Sequence, residues 1–352
     1  MKTLETLLPA AQAGSGSRWH ALAACVLDGH VLSEEEGLSL LESDDAELLD
    51  LLAAAYRVRH RRWGNRVHLN LLINAKSGLC SEDCGYCSQS RISKAEIPKH
   101  KLLDEDKILE GARLAAERRA GTYCIVVSGR SPTDKELKAL ARIVPKIKSR
   151  HPLKVCVSPG LLTRAQAERL RQCGVDRVNH NLNTSARFYP RICTTHTYLD
   201  RLATLRAVRQ AGLEICSGGI VGMGEEDRDV VQMALNLGDL AVEAVPINFL
   251  MPIPGTPLEG VRRLNPRYCL KVLCLVRLAV PRCELRIAGG REMHLGPLQP
   301  LGLYPANSIF VGDYLTTPGQ GPNEDYRMIE ALGFRIAPEG EEEEGGGLKD
   351  ER

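Results

Sequence analysis

Cys80, Cys84 and Cys87 stand in a CxxxCxxC spacing within Leu71–Ser90, LLINAKSGLCSEDCGYCSQS, directly after an apolar run. Three thiolates on one short loop can hold three irons of a cubane cluster and leave the fourth iron without a protein ligand. Structural zinc takes four protein ligands, usually from paired CxxC knuckles, and the sequence has no second knuckle and no HxxxH partner. A disulfide framework needs cysteine pairs and an oxidising compartment, and a cluster of three meets neither need. The spacing therefore points to an iron-sulfur site, with zinc or fortuitous thiols as the alternative.

A second set is scattered. Cys124 in GTYCIVVSG, Cys156 in KVCVSPG and Cys216 in EICSGGIVGMGEE lie in three different apolar runs, and Arg286 in LRIAGGRE lies in a fourth. Only a fold can bring these four together. The other six cysteines, Cys25, Cys173, Cys193, Cys269, Cys274 and Cys283, have no motif around them and read as small packing residues.

The elements that must position these residues follow a rhythm. Eight short apolar, β-branched runs occur at His68–Ala75, Thr122–Ser128, Leu153–Val157, Arg177–Leu182, Glu214–Val221, Ala244–Leu250, Cys283–Ala288 and Ser308–Gly312. Helical patterns separate them at Glu105–Arg119, Asp134–Arg150, Arg164–Gln172, Tyr198–Ala211, Asp227–Leu240 and Pro266–Leu278. This alternation predicts an α/β fold, a parallel (β/α)8 barrel of the TIM type, with an open doubly wound sheet as the alternative. Residues 1–64 read as an N-terminal helical extension, in which Ser33 and Glu36 form a capping box for a helix over Ser33–Arg57. Residues 65–337 read as the barrel, and 338–352 as a disordered acidic tail. Asp134 and Glu136 read as a solvated helix face.

The strands carry an anomaly. Buried parallel strands are expected to be continuously apolar, yet these hold Asn70, Asn74, Cys124, Cys156, Asn179, Asn181, Cys216, Asn248 and Arg286. A buried amide without a partner costs about 1–3 kcal/mol and a guanidinium more, so a polar ligand inside the barrel is expected. The net charge of +2, from 46 basic and 44 acidic residues, gives no bias toward nucleic acid or anionic membrane and favours a small-molecule substrate. No apolar stretch is long enough to span a membrane and the first residues lack a signal-peptide pattern, so a cytoplasmic location is expected.

CxxxCxxC with Tyr86 immediately before the last cysteine resembles the signature of radical S-adenosylmethionine enzymes. That resemblance implies a 4Fe-4S cluster on Cys80, Cys84 and Cys87, S-adenosylmethionine on the open iron, and Tyr86 near its adenine. The second cysteine set is similar to that of the biotin synthase family. Further matching stretches are VNHNLNTS at Val178–Ser185, TTHTYLDR at Thr194–Arg201, VPINFL at Val245–Leu250 and ANSIFVGDYLTT at Ala306–Thr317, and the resemblance spans roughly Val67–Ala337. It implies a 2Fe-2S cluster held by Cys124, Cys156, Cys216 and Arg286 and consumed as sulfur donor for insertion between C6 and C9 of dethiobiotin. The arginine role comes from the resemblance alone, since a guanidinium stays protonated in ordinary settings and a hydrogen-bonding cation is the simpler role.

By the same resemblance Asn181, Asn183, Arg201, Gly218, Gly219 and Ile220 contact S-adenosylmethionine, and Asn179, Asn181 and Asn248 contact dethiobiotin. Asn183 stands where some relatives have aspartate. Asn179, Asn181 and Asn183 alternate at the strand period and are expected on one face. The barrel then includes a C-terminal part associated with biotin and thiamin synthesis. The resemblance further implies a homodimer, a flavodoxin- or ferredoxin-type electron donor and iron-sulfur assembly proteins as partners, with no nucleic acid and no membrane. Other radical enzymes, such as hydrogenase maturase or methylornithine synthase relatives, share the first motif but have no need of the second cysteine set.

Overall fold

In a computed structural model, residues 17–337 are described, and the acidic tail expected at 338–352 lies outside them. Three helices come first: α1 (Arg18–Leu27), α2 (Glu34–Leu41) and α3 (Leu48–Trp63). The Ser33–Glu36 capping box forms as expected, with Glu36 N donating to Ser33 Oγ at 3.1 Å and Ser33 N to Glu36 Oε2 at 2.8 Å. The helix over Ser33–Arg57 is not continuous. Asp44 accepts from Ala46 N at 2.8 Å and caps a short 3-10 turn that re-aims the chain into α3.

The strands are β1 (Arg66–Lys76), β2 (Thr122–Val127), β3 (Lys154–Ser158), β4 (Arg177–Asn179), β5 (Glu214–Cys216), β6 (Gly219–Val221), β7 (Ala244–Phe249), β8 (Glu284–Ile287), β9 (Ser308–Phe310) and β10 (Arg335–Ile336). Between them run α4 (Glu105–Glu117), α5 (Asp134–Arg150), α6 (Arg164–Gln172), α7 (Tyr198–Gln210), α8 (Asp227–Asp239), α9 (Pro266–Ala279), α10 (Arg291–Leu295), α11 (Gln299–Gly302) and α12 (Pro322–Ala331). Every pairing between these strands is parallel, and β9 returns to β1 at His68 to Ser308, Leu69 to Ile309 and Asn70 to Phe310. The sheet is therefore a closed eight-stave barrel, as the alternation predicts, and the open sheet is ruled out.

Helix starts follow local chemistry. Thr133 with Glu136, Thr163 with Gln166 and Thr197 with Asp200 are capping boxes that begin α5, α6 and α7. Glu136, expected on a solvated face, is instead buried, because it closes its box and pairs with Lys76 of β1 at 2.8 Å. Asp134 is exposed as expected and pairs with Arg169 at 2.7 Å.

Two predicted strands are cut short. The run Glu214–Val221 breaks at Ser217 and Gly218, giving β5 and β6 as one interrupted stave beside β7. Pro246 of β7 has no N–H for the ladder there, and its carbonyl approaches Gly218 so closely that a Cβ would lie 1.9 Å from it. The run Arg177–Leu182 keeps strand form only to Asn179.

Helix α9 is buried on nearly all sides, which explains its apolar residues Leu270, Val272, Leu273, Leu275 and Val276, interrupted by the buried Lys271. It packs on the barrel with one face and under α2 and α3 with another. The buried Arg59 of α3 ties this layer to the barrel seam. It donates to Ala306 O at 3.1 Å, Arg66 O at 2.7 Å and Gly64 O, and lies 4.6 Å from the Phe334 ring centre. Replacing Arg59 by Met keeps the stem but strands three carbonyls, so a loss of about 2–4 kcal/mol is expected in urea unfolding followed by far-UV circular dichroism.

Candidate active site

The cavity at the C-terminal end of the barrel has a volume of about 390 Å³, within the range of small-ligand pockets. Cys80, Cys84, Tyr86, Cys87, Cys124, Asn179, Asn181, Asn183, Arg201, Ile220, Asn248 and Arg286 all line it. Cys156, Cys216, Gly218 and Gly219 lie on the neighbouring staves and do not line it. The structure thus gathers the expected residues around one space, from eight segments of chain.

The first three cysteines sit on the long loop 77–104 between β1 and α4. Gly78 N donates to Gln89 Oε1 at 2.9 Å, and Ser128 Oγ donates to Gly78 O at 2.5 Å, fixing the loop's entry. Its centre is pinned to the segment before α7. Asp83 accepts from the backbone N–H of Thr194 at 2.9 Å and of Thr195 at 3.2 Å, and Glu82 Oε2 accepts from Thr195 Oγ1 at 2.7 Å. Burial pushes the thiol of Cys87 up to about 11 and raises that of Cys80. These thiols are therefore neutral without a cation, and three sulfurs on one loop gain most from a metal centre that holds them as thiolates.

Cys193, expected to be mere packing, touches this loop. Its Sγ lies 3.7 Å from Cys84 Sγ and 3.2 Å from His196 Nδ1. The hydrogen bond from Cys84 pulls the Cys193 thiol down to about 4, and the same contact, with burial, raises that of Cys84. Ligand atoms of Cys84, Cys193 and His196 fall within 4.8 Å of one another, the spacing of a metal site. The imidazole is committed elsewhere. Arg201 Nη2 donates to His196 Nε2 at 2.9 Å, which places the ring proton on Nδ1, directed at Glu82 Oε2 2.5 Å away. His196 thus acts as a strut between Arg201 and Glu82.

Tyr86 and Asn183 meet directly, with Asn183 Nδ2 donating to Tyr86 Oη at 2.5 Å. Asn183 has a φ of 71°, a left-handed conformation that asparagine tolerates better than most residues. The expected alternation of Asn179, Asn181 and Asn183 therefore stops at the end of β4, yet all three still face the cavity. Asn179 Nδ2 donates to Asn181 Oδ1 at 3.2 Å and to Cys216 Sγ at 3.3 Å, and Asn181 Oδ1 also accepts from Gly218 N at 3.1 Å. Arg201 Nη1 donates to Asn181 O at 2.7 Å. Asn248 Nδ2 donates to Gly219 O at 3.2 Å, while its Oδ1 accepts from Gly289 N at 3.0 Å.

The second cysteine set is brought together by register. Cys124 and Cys156 are direct neighbours across β2 and β3, and Cys156 stands opposite Arg177 across β3 and β4. Cys216 stands opposite Asn179 across β4 and β5. All three are buried, and the thiol of Cys156 is near enough to those of Cys124 and Cys216 to be perturbed by both. Cys124 raises the Cys156 thiol and Cys156 raises that of Cys216, each with burial acting the same way, while the positive charge of Arg177 opposes both rises and that of Arg286 opposes the rise at Cys216. Crowded thiols beside guanidinium groups are a donor set suited to a thiophilic metal centre.

Sequence reasoning missed Cys193, His196, Arg177, Glu284 and Ser308, whose roles arise from contacts distant in sequence. Only the TTHT stretch around His196 carried a local signal.

Residues 76–237 match the radical SAM superfamily, and residues 246–335 match the biotin and thiamin synthesis associated domain. A biotin synthase of Rhodopirellula baltica is 54% identical over 324 residues, covering 92% of this chain and 90% of that protein. One from Geobacillus kaustophilus is 56% identical, covering 91% and 96%. Among solved structures, a methylornithine synthase superposes with a TM-score of 0.79 at 21% identity, covering 90% of this chain and 97% of that one. A FeFe-hydrogenase maturase from Carboxydothermus hydrogenoformans gives 0.76 at 19% identity, covering 90% and 78%. These two share the fold.

The glycines of the interrupted stave test the geometry. A Cβ on Gly219 would lie 2.0 Å from Met233 Sδ, as one on Gly218 would meet Pro246 O. Gly218→Ala is therefore expected to cost about 1–3 kcal/mol by overpacking, read as a lowered thermal midpoint, and to displace the Gly218 N–H held by Asn181.

Proposed function

The chain belongs to the biotin synthase family of radical S-adenosylmethionine enzymes, whose reaction inserts sulfur between C6 and C9 of dethiobiotin, and we propose that its two cysteine sets divide that work. Methyl and methylene C–H bonds carry no proton that a side-chain base can remove, so bound cofactors must provide the reactivity and the protein the orientation. Cys80, Cys84 and Cys87 are assigned to a 4Fe-4S cluster, and Cys124, Cys156, Cys216 and Arg286 to a 2Fe-2S cluster. When bound, the first centre with S-adenosylmethionine supplies the hydrogen-abstracting radical, and the second supplies sulfur.

The observation that carries this reading is the gathering of three buried thiols from three separate strands, of which Cys124, with Arg286, lines the same cavity as the CxxxCxxC loop. Tyr86, Asn181, Asn183, Arg201 and Ile220 border the space beside the loop and are assigned to S-adenosylmethionine. Gly218 and Gly219, assigned to the same ligand by family resemblance, let this stave pack closely against Pro246 and Met233. His180 lines the cavity with a buried Nε2 that has no partner, and burial lowers its pKa, so a neutral ring faces the ligand space. Asn179, Asn181 and Asn248 are assigned to the ureido end of dethiobiotin. Each already makes a protein hydrogen bond, which fixes the amides before a substrate arrives.

Among the described residues no helix is long and apolar enough to cross a membrane. A cytoplasmic homodimer reduced by a flavodoxin- or ferredoxin-type protein and supplied by iron-sulfur assembly proteins completes the proposal, resting on family membership. The test is anaerobic. Wild-type protein is expected to hold about six irons per chain and to form biotin from dethiobiotin under reduction. Ala at Cys80, Cys84 or Cys87 removes about four irons and abolishes S-adenosylmethionine cleavage. Cys156→Ala removes about two irons, keeps cleavage and forms no biotin; normal biotin yield from that variant overturns the donor assignment.

A further inference from the structure

Below the thiols the barrel floor holds a buried ionic group that the cysteine motifs do not explain. Glu284 and Arg286 lie two residues apart on β8 and so share its inward face. Glu284 Oε1 accepts from Arg286 Nη2 at 2.6 Å and from Ser308 Oγ at 2.7 Å, and its Oε2 accepts from Arg177 Nη1 at 2.8 Å. Arg286 Nε donates in turn to Ser308 Oγ at 3.2 Å, and Asn70 Nδ2 donates to the same oxygen at 2.7 Å. All five side chains are buried.

A long arginine side chain inside a barrel has no fixed direction of its own, and two hydrogen bonds at different corners of the planar fork are needed to orient it. Ser308 takes Nε and Glu284 takes Nη2. That leaves Nη1 as the corner engaged by neither partner, on a guanidinium that lines the cavity. The carboxylate also lies between two guanidinium groups, Arg177 beside Cys156 in the register and Arg286 beyond Cys216, so it fixes the charge of the floor.

We propose that Glu284 is the positioning residue of the auxiliary centre: braced by Arg177 and Ser308, it aims Arg286 at the cysteine thiols and sets the electrostatic field beneath them. The proposal rests on the assignment of Cys124, Cys156, Cys216 and Arg286 to a 2Fe-2S cluster. Without the carboxylate, Arg286 stands uncompensated beside that cluster and Arg177 keeps only Glu214 at 2.9 Å, which makes added negative charge easier to accept. Its reduction potential therefore rises, while the number of bound irons need not change.

The test uses full-length protein, anaerobically reconstituted, as wild type, Glu284→Gln, Ser308→Ala and Cys156→Ala. Glu284→Gln is expected to keep about six irons per chain, to change the 2Fe-2S bands in resonance Raman and visible spectra, and to shift the midpoint potential of that cluster upward. Ser308→Ala keeps the ion pair but frees Nε, and is expected to change the Raman bands with a smaller shift in potential. Cys156→Ala is expected to lose the 2Fe-2S bands. If it retains them, the ligand assignment itself fails. If it loses them while Glu284→Gln matches wild type in bands and potential, the role of Glu284 is overturned and the assignment stands. Should Glu284→Gln not fold, Ser308→Ala decides, and unchanged bands in that variant overturn the proposal.

Discussion

Charge buried away from water has to be balanced where it sits, and the floor of this barrel holds an unusual amount of it. Arg177, Arg286 and Glu284 are each almost fully buried, and three thiols crowd beside them. An isolated guanidinium there would be prohibitive, so the carboxylate between the two arginines is a condition for closing the sheet around them. The balance also fixes register, because Arg177 lies opposite Cys156 on one side and Glu214 on the other, while Arg286 lies opposite Ser308. A one-residue slip of any of these strands would turn a charge outward and a partner away.

The upper end of the barrel is governed by a different constraint. The loop 77–104 is long and has little regular structure, yet it must hold three sulfurs in one place. Loops of this length are seldom self-supporting. This one is tied to several distant segments: to the turn before α7 through Glu82 and Asp83, to the segment after β9 through Ser88 and Thr316 at 2.9 Å, and to Gly255 through the backbone of Lys94 at 2.7 Å. His196 and Arg201 carry the same bracing inward to Asn181. Loop and cavity wall thus form one hydrogen-bonded unit, so the thiols are placed before any cofactor arrives.

Much of this was legible in the chain itself. Helices α5 and α6 lie where their periodicity puts them, and the other helices predicted between strands agree to within two residues, whereas the one expected over Ser33–Arg57 is split into α2 and α3. Asn183 illustrates the limit. Alternation placed it on the face of Asn179 and Asn181, and it does reach the cavity, but through a left-handed turn beyond the strand. The break at Gly218 was equally hidden, since its cause is a proline 28 positions later on a neighbouring strand, and Pro246 has no amide to offer. Glu136 read as solvated because its partner Lys76 belongs to β1.

Cys80, Cys84 and Cys87 needed only their spacing, because a short loop keeps sequence neighbours near one another in space. The alternation of strands and helices was enough for the barrel, because a parallel strand pair requires a crossover and helices provide it. Which groups meet across the interior was decided by the closed sheet alone. Cys124 against Cys156, Arg177 against Glu284 and Cys84 against Cys193 are contacts between segments separated by 32 to 109 positions. No local propensity encodes such distances; they are set by strand register and by the need of each buried polar group for a partner.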